Sequence, residues 1–231
     1  MKEPNLSVIV NCLRESYGAP ACPLISTDPF EHILFENVAY LVDDAHRLEA
    51  FENLRKTVGL RPEDILTADP RQFESVVYLA GSDKKGRVAK LLRSAEIAFK
   101  EFGGDLRPLL DLPFKKAVAA LTKFPSIGEP GAEKILLLCG ISDVLPLESN
   151  GLRVLVRIGY ADELASYTAM YKNVRNAVAP QIVHSTDWLI NSHVLLRRHG
   201  QVVCKSTKPL CPQCVLSKMC KYGQEFQGLK S

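Results

Sequence analysis

The sequence contains no run of eighteen apolar residues, about the length that a membrane-spanning helix requires. No stretch alternates apolar and polar residues with the period of two that marks a half-buried β-strand. The apolar segment near the N-terminus is interrupted by charge and is too short for the usual layout of a signal peptide. These absences predict a globular protein of the cytoplasm with no membrane partner and little or no β-sheet.

Acidic residues are missing from one long segment, because no Asp or Glu occurs from Trp188 to Gln224. The net charge of +3 is small, but this segment gathers many of the cations. A basic segment suits a phosphate-binding surface, since counterion release from a polyanion supplies affinity without reading its sequence. The alternative is an ordinary solvated basic face. The charged and titratable residues of the segment are Arg197, Arg198, Lys205, Lys208, Lys218, Lys221, His193 and His199.

Helical periodicity covers most of the 231 residues. Apolar residues recur at helical spacing in segments 6–16, 30–43, 45–58, 84–102, 113–123 and 131–139. Asp28 and Pro29 give the second segment a cap and a first-turn proline, and Gly103 ends the fourth. The pattern predicts an all-α fold with one body over residues 30–145. The remainder, residues 1–29 and 146–231, is expected to form a second body to which both ends of the chain contribute.

Four cysteines near the C-terminus have the spacing C-x6-C-x2-C-x5-C over residues 204–220. Four thiolates can close round one metal centre, and two prolines stiffen the loop between them. Zinc usually takes two C-x2-C pairs, and only one occurs here, so the spacing favours a 4Fe-4S cluster, with zinc or disulfides as alternatives. The chain's total of seven cysteines is odd, which indicates a reducing compartment. The predicted ligands are Cys204, Cys211, Cys214 and Cys220.

A tight connection joins the predicted helices 113–123 and 131–139, with the sequence Phe-Pro-Ser-Ile-Gly at residues 124–128. Such a turn is expected to need Gly128 at a point where a Cβ would clash. The first amides of the second helix then point outward with the positive end of the helix dipole, which favours an anion. The residues predicted to form this phosphate seat are Ser126, Ile127, Gly128 and Gly131. The alternative is an ordinary αα-hairpin.

The hairpin, the segment Leu-Glu-Ser-Asn-Gly-Leu-Arg-Val at residues 147–154 and the cysteine spacing together resemble the endonuclease III branch of the helix-hairpin-helix DNA glycosylases. The resemblance covers most of the chain from Pro29 to Tyr222. It implies a six-helix barrel domain with a helix-hairpin-helix over about 113–140, and a cluster domain built from both termini. It also implies a 4Fe-4S cofactor, a double-stranded DNA partner, a monomeric state and a cleft in which a damaged base is flipped out for N-glycosidic cleavage.

Two departures from that family concern the chemistry. Where the family carries an Asp that stabilises the oxocarbenium-like transition state, alignment on Arg153 and Val154 places Glu148, which is one methylene longer. The alternative role for Glu148 is a helix cap. Where bifunctional members carry a Schiff-base lysine after the hairpin glycine, this chain has Pro130, which cannot be a nucleophile. The resemblance therefore predicts a monofunctional glycosylase with weak or absent lyase activity; Lys134 is a poor substitute one turn further on.

A third departure lies at the end of the first barrel helix, where the family's base-replacing Gln corresponds to Leu41. A leucine can still wedge into a base stack. Glu36 and Asn37 could contact a flipped base by hydrogen bonds and Tyr40 could stack on it, unless the first two lie on the solvated side. The rival interpretation of the whole chain is a non-catalytic iron-sulfur DNA-binding protein that has kept the scaffold and lost the chemistry.

Overall fold

The computed structural model describes residues 4–22, 24–78 and 81–228. The regular secondary structure of these residues is helical, with no strand apart from one isolated bridge between Tyr40 and Gly81, so the all-α prediction is confirmed. No helix in the described part of the chain is long and apolar enough to cross a bilayer. The helices are α1 Leu6–Tyr17, α2 Pro29–Val38, α3 Asp44–Thr57, α4 Pro62–Thr67, α5 Gln72–Tyr78, α6 Lys84–Phe102, α7 Phe114–Leu121, α8 Glu129–Leu138, α9 Ser149–Ile158, α10 Tyr167–Val178, α11 Thr186–Val202 and α12 Lys221–Gly228.

The chain forms two compact units. The central unit, Pro23–Ser142, contains α2 to α8, and the terminal unit combines Met1–Cys22 with Asp143–Ser231. The core of the central unit surrounds α2, which is buried on nearly every face. Each fully buried Leu, Ile or Phe side chain in such a core contributes about 1.5–3 kcal/mol.

Helix α2 begins as predicted but ends early. Asp28 accepts a hydrogen bond from the Phe30 amide at 2.8 Å, and Pro29 occupies the first turn. The helix stops at Val38, whereas the apolar spacing predicted a helix to residue 43, so the predicted end is wrong. The reason is tertiary, because the backbone of Tyr40 pairs with Gly81 and the following Leu41 adopts a left-handed conformation with φ of 57°.

In the terminal unit, α9 packs on α11, and α1 packs on the same α11. Gly200 of α11 makes the close crossing possible. A Cβ at this glycine would lie 2.6 Å from the Asn150 carbonyl oxygen and 2.7 Å from the Asn150 Cβ, which are distances that real Cβ atoms do not tolerate. The crossing thus fixes the first turn of α9 against the last turns of α11.

Candidate functional site

All four cysteines of the predicted ligand set line one cavity in the terminal unit, together with Arg157 and Tyr222. The volume of this cavity is about 20 Å³. Cys211 and Cys220 are buried, while Cys204 and Cys214 are half-buried. Among the described residues, no three His, Cys, Asp or Glu side chains are grouped as a site for a single metal ion. The segment after α11 thus brings together the four residues that the spacing singled out.

The chemistry of the donor set bears on which metal group the cysteines fit. Zinc sites with four cysteines usually draw them from two C-x2-C pairs, and this segment contains one such pair. Four soft thiolates are the ligand set that holds iron-sulfur clusters. The residues present therefore fit an iron-sulfur cluster.

Arg157, on α9, braces the cysteine segment. Its Nη1 donates to the Cys204 Sγ at 3.4 Å and to the Lys205 carbonyl oxygen at 2.7 Å, and its Nη2 donates to the Ser206 carbonyl oxygen at 3.1 Å. The guanidinium also lies over the Tyr222 ring, 4.7 Å from its centroid. The planar fork of an arginine suits such multiple contacts, which a lysine could not reproduce. Sequence reasoning missed this residue because its partners lie about fifty positions away.

Arg153, one turn earlier on α9, links the cysteine segment to the start of its own helix. Its Nε donates to the Cys204 carbonyl oxygen, and its Nη2 donates to the Gly200 carbonyl oxygen and to the Asn150 Oδ1, each at 2.8 Å. The Asn150 Nδ2 in turn donates to the Glu148 Oε2 at 3.1 Å. A continuous line of hydrogen bonds therefore runs from the cysteine segment to Glu148. Burial lowers the pKa of Arg153.

Glu148 is the N-cap residue of α9. Its Oε1 accepts the Asn150 amide at 3.0 Å and the Gly151 amide at 3.2 Å. The capping role that the sequence left open is thus confirmed, and it holds the carboxylate in one orientation at the positive end of the helix dipole. The side chain remains half-buried rather than enclosed. A negative charge held in this way suits the stabilisation of a developing positive charge.

The predicted phosphate contacts of the terminal unit differ in their surroundings. Lys205 and Lys208 are exposed, and Lys208 has a left-handed backbone with φ of 53°. Arg197 is half-buried, and Arg198 is exposed with its guanidinium over the Tyr17 ring, 5.0 Å from the centroid. Three cations of this predicted set, Lys205, Lys208 and Arg198, are therefore exposed, whereas Arg197 is half-buried.

The connection between α7 and α8 in the central unit turns at a different residue from the one expected. Gly128 has φ of −89°, and a Cβ there would meet only the Pro130 Cδ at an ordinary 3.8 Å, so the clash predicted for a side chain is wrong. Ser126 carries the left-handed conformation, with φ of 63°. Its Oγ accepts a hydrogen bond from the Lys90 Nζ at 3.0 Å. Ile127 is buried, Gly128 is exposed and Gly131 is half-buried.

The strain at Ser126 leads to a prediction about stability. A left-handed conformation costs a non-glycine residue about 1–2 kcal/mol, so Ser126→Gly should raise the free energy of unfolding by about 1 kcal/mol after the exposed bond from Lys90 is lost. Urea denaturation measures the change. The matched control is Ser75→Gly, because Ser75 is exposed within helix α5, where glycine should lower stability by about 0.5–1 kcal/mol. Equal losses in both variants would contradict the prediction.

Asn37, one of the residues proposed for the base pocket, is fully buried in the central unit. Its Nδ2 donates to the Ile33 carbonyl oxygen at 3.0 Å and to the Pro125 carbonyl oxygen at 2.9 Å. The second bond ties α2 to the connection between α7 and α8. The Asn37 Oδ1 is buried and has no hydrogen-bond partner. The position of this amide thus supports the hairpin directly.

Because each hydrogen bond from Asn37 contributes about 1 kcal/mol, Asn37→Ala should lower the free energy of unfolding by about 2 kcal/mol. Hydrogen exchange of the amides around Pro125 should accelerate as well, since the tie to α2 is lost. Asn173→Ala, at an exposed position of α10, serves as the control. If the free energy of unfolding of Asn37→Ala lies within about 0.5 kcal/mol of that of the parent, the hydrogen bond from Asn37 to Pro125 contributes little to stability.

The other residues proposed near the base have different surroundings. Glu36 lies in an ion-pair network, 2.7 Å from the Lys134 Nζ and 3.6 Å from the Arg47 Nη1, with all three side chains less than a quarter exposed. Tyr40 is half-exposed and lies under the Arg87 guanidinium at 5.3 Å. Leu41 is 78% exposed. Tyr40 and Leu41 are therefore accessible, whereas Asn37 is enclosed.

Solved structures share this fold. The structure of a non-covalent endonuclease III–DNA complex matches with a TM-score of 0.74 and 17% identity, and the match covers 96% of this chain and 97% of that one. A thermostable thymine-DNA glycosylase matches with a TM-score of 0.73 and 17% identity, covering 95% and 97%. The architecture is thus that of the all-α DNA glycosylases of the endonuclease III fold.

Sequence relatives narrow this class to a family. Endonuclease III of Sulfolobus acidocaldarius is 30% identical over 219 residues, which cover 91% of this chain and 92% of the relative. Endonuclease III of Bacillus subtilis is 21% identical over 224 residues, covering 96% and 95%. No protein-family model matches the chain. At this identity and coverage, the chain belongs to the endonuclease III family, as its motifs predicted.

Proposed function

We propose that this protein is a base-excision-repair DNA glycosylase that flips a damaged base out of duplex DNA and hydrolyses its N-glycosidic bond, acting as a monomer. Membership of the endonuclease III family supports the reaction class. The observation that carries the proposal for this chain is Glu148, whose carboxylate is fixed at the start of α9 by two backbone amides and the Asn150 side chain.

In the proposed reaction, the bond between the sugar C1′ and the base nitrogen breaks, and its electron pair leaves with the base. Positive charge then develops on the sugar, and the Glu148 carboxylate stabilises it electrostatically. Water adds to C1′ and loses a proton, and the base gains one. The hydrogen bonds that hold Glu148 exist before the substrate arrives, so the carboxylate needs little reorganisation during the reaction.

We also propose that Cys204, Cys211, Cys214 and Cys220 hold a 4Fe-4S cluster in the cavity that they line. With four protein sulfurs as ligands the cluster has no open coordination position, so its contribution is structural. It would fix the segment that carries Lys205 and Lys208, and these exposed lysines would contact the DNA backbone.

A second DNA contact is proposed at the start of α8. Its N-cap residue Gly128 supplies no side-chain capping hydrogen bond, so the positive end of this helix can take an external acceptor. A backbone phosphate is such an acceptor, because the amides and the helix dipole both favour an anion. Ser126, Ile127, Gly128 and Gly131 would form this seat, mainly through main-chain groups. Tyr40 and Leu41 remain the proposed stacking and wedge residues.

The lack of a nucleophilic amine after the hairpin predicts a monofunctional enzyme. Pro130 occupies the lysine position, and Lys134 is held by Glu36 at 2.7 Å. Borohydride should therefore trap no covalent complex with substrate DNA, and strand cleavage should require hot alkali after base release. An adduct that vanishes in Lys134→Ala would contradict this prediction and assign the lyase step to Lys134.

The proposal is tested by single-turnover incubation with duplexes that each carry a different damaged base, followed by chromatography of released bases and by alkali treatment. Release of a base from at least one duplex supports the glycosylase. Equal affinity for damaged and undamaged duplexes with no base released would support the rival, a non-catalytic iron-sulfur DNA-binding protein. Sedimentation during the same experiments tests the monomeric state.

A further inference from the structure

The hydroxyl of Tyr17, the last residue of α1, lies 2.7 Å from the Nδ1 of His199 on α11. The other ring nitrogen, Nε2, lies 3.4 Å from the Cys214 Sγ. His199 lies in the last turn of α11 and is only 1% exposed. The Tyr17 ring itself lies under the Arg198 guanidinium. A partly buried line of contacts thus connects the N-terminal helix to one predicted cluster ligand.

The chemistry of a metal-bound cysteine assigns the hydrogens in this line. A ligating thiolate offers only lone pairs, so the contact with Cys214 is a hydrogen bond only when His199 Nε2 carries the hydrogen. In the neutral ring Nδ1 is then the acceptor, and the Tyr17 hydroxyl donates to it. Tyr17 therefore selects the tautomer in which His199 points an N–H at the sulfur. Ligand orientation through a hydrogen-bonded outer residue is a general device of metal sites.

Resting on the 4Fe-4S cluster of the proposed function, we propose that Tyr17 and His199 are positioning residues that hold an N–H donor on the Cys214 sulfur, raise the reduction potential of the cluster and slow its oxidative loss. Hydrogen bonds to cluster sulfurs withdraw electron density and favour the more negative, reduced form. They also keep a ligand in place when the cluster is attacked. Because Tyr17 belongs to α1, the N-terminal segment would take part in tuning the cluster.

The test uses the full chain purified anaerobically, with iron and sulfide content measured first. Spectroelectrochemical titration gives the reduction potential, and the decay of visible absorption in air gives the rate of cluster loss. His199→Leu removes the donor, whereas His199→Gln keeps an amide N–H near the position of Nε2. Tyr17→Phe removes one hydroxyl, and Tyr160→Phe is its matched control, because the Tyr160 hydroxyl bonds Pro4 and Gln181 instead.

We expect His199→Leu to have a more negative potential than the parent and to bleach about tenfold faster. His199→Gln should recover most of both values, Tyr17→Phe should shift in the same direction as His199→Leu, and Tyr160→Phe should match the parent. If both His199→Leu and Tyr17→Phe bind four irons per chain and keep the reduction potential of the parent, the proposed roles of Tyr17 and His199 are wrong, although the cluster itself is supported. If the purified parent protein contains no iron, the proposal of a cluster is itself wrong. If His199→Leu does not assemble a cluster, Tyr17→Phe and Tyr160→Phe are compared instead. A more negative potential in Tyr17→Phe alone supports the proposal, and equal potentials in the two variants contradict it.

Discussion

Glu148→Gln should lower the single-turnover rate of base release by about 10²–10⁴-fold, because the neutral amide cannot stabilise the positive charge that develops on the sugar. The amide oxygen of glutamine can still accept the Asn150 and Gly151 amides that Glu148 accepts now, so the cap of α9 should largely survive. Base release is measured in single turnover on the preferred duplex, and the melting temperature is measured in parallel.

Two further variants separate catalysis from capping at this position. Glu148→Ala removes both the charge and the cap, so it should lose about 1 kcal/mol more stability than Glu148→Gln while releasing base no faster. Glu163→Gln, at an exposed position of the terminal unit, should match the parent in both measurements. If Glu148→Gln folds normally and releases base at the parent rate, Glu148 has no part in catalysis. If activity falls only in proportion to the loss of folded protein, the role of Glu148 is limited to capping α9.

Cys211→Ala should remove the visible absorption and most of the bound iron, because the buried Cys211 is one of only four predicted ligands. The segment from Cys204 to Cys220 should then lose its fixed shape, and with it the placement of the exposed Lys205 and Lys208. We expect duplex affinity at low salt to fall about 10- to 100-fold. The slope of log affinity against log salt should also decrease by about 0.9 for each displaced lysine.

The control for Cys211→Ala is Cys12→Ala, because Cys12 is a half-buried thiol of α1 that does not line the cavity. This variant should keep iron, colour and affinity. Filter binding over a range of salt concentrations, together with metal analysis, checks both variants. A stoichiometric content of zinc in the parent, or full iron retention in Cys211→Ala, would contradict the assignment of the ligands.

Features that depend on neighbours in the chain could be predicted from the sequence. The cysteine spacing gave the four residues that line one cavity, and the caps Asp28 and Gly103 gave the start of α2 and the end of α6 correctly. Each of these features is determined within a few residues. Local preference and spacing therefore carried enough information to identify them.

Features that depend on distant contacts could not be predicted in this way. The early end of α2 follows from pairing between Tyr40 and Gly81, 41 positions apart. The partners of Arg153 and His199 become neighbours only when α1, α9 and α11 pack together. At the hairpin, the sequence predicted that a Cβ at Gly128 would clash, but there is room for one, and the left-handed conformation falls on Ser126. Contacts between residues far apart in the chain end α2 early and give Arg153 and His199 their partners, and local propensity does not encode such contacts.

The close crossing at Gly200 limits how variants of this protein can differ. Any side chain at this position would have to displace Asn150, and the carboxylate that Asn150 contacts would move with it. A change in the preferred lesion is therefore expected to arise from substitutions that leave the α9–α11 crossing intact. Homologues that share the chemistry but accept other bases should retain glycine here and diverge at accessible side chains such as Tyr40 and Leu41.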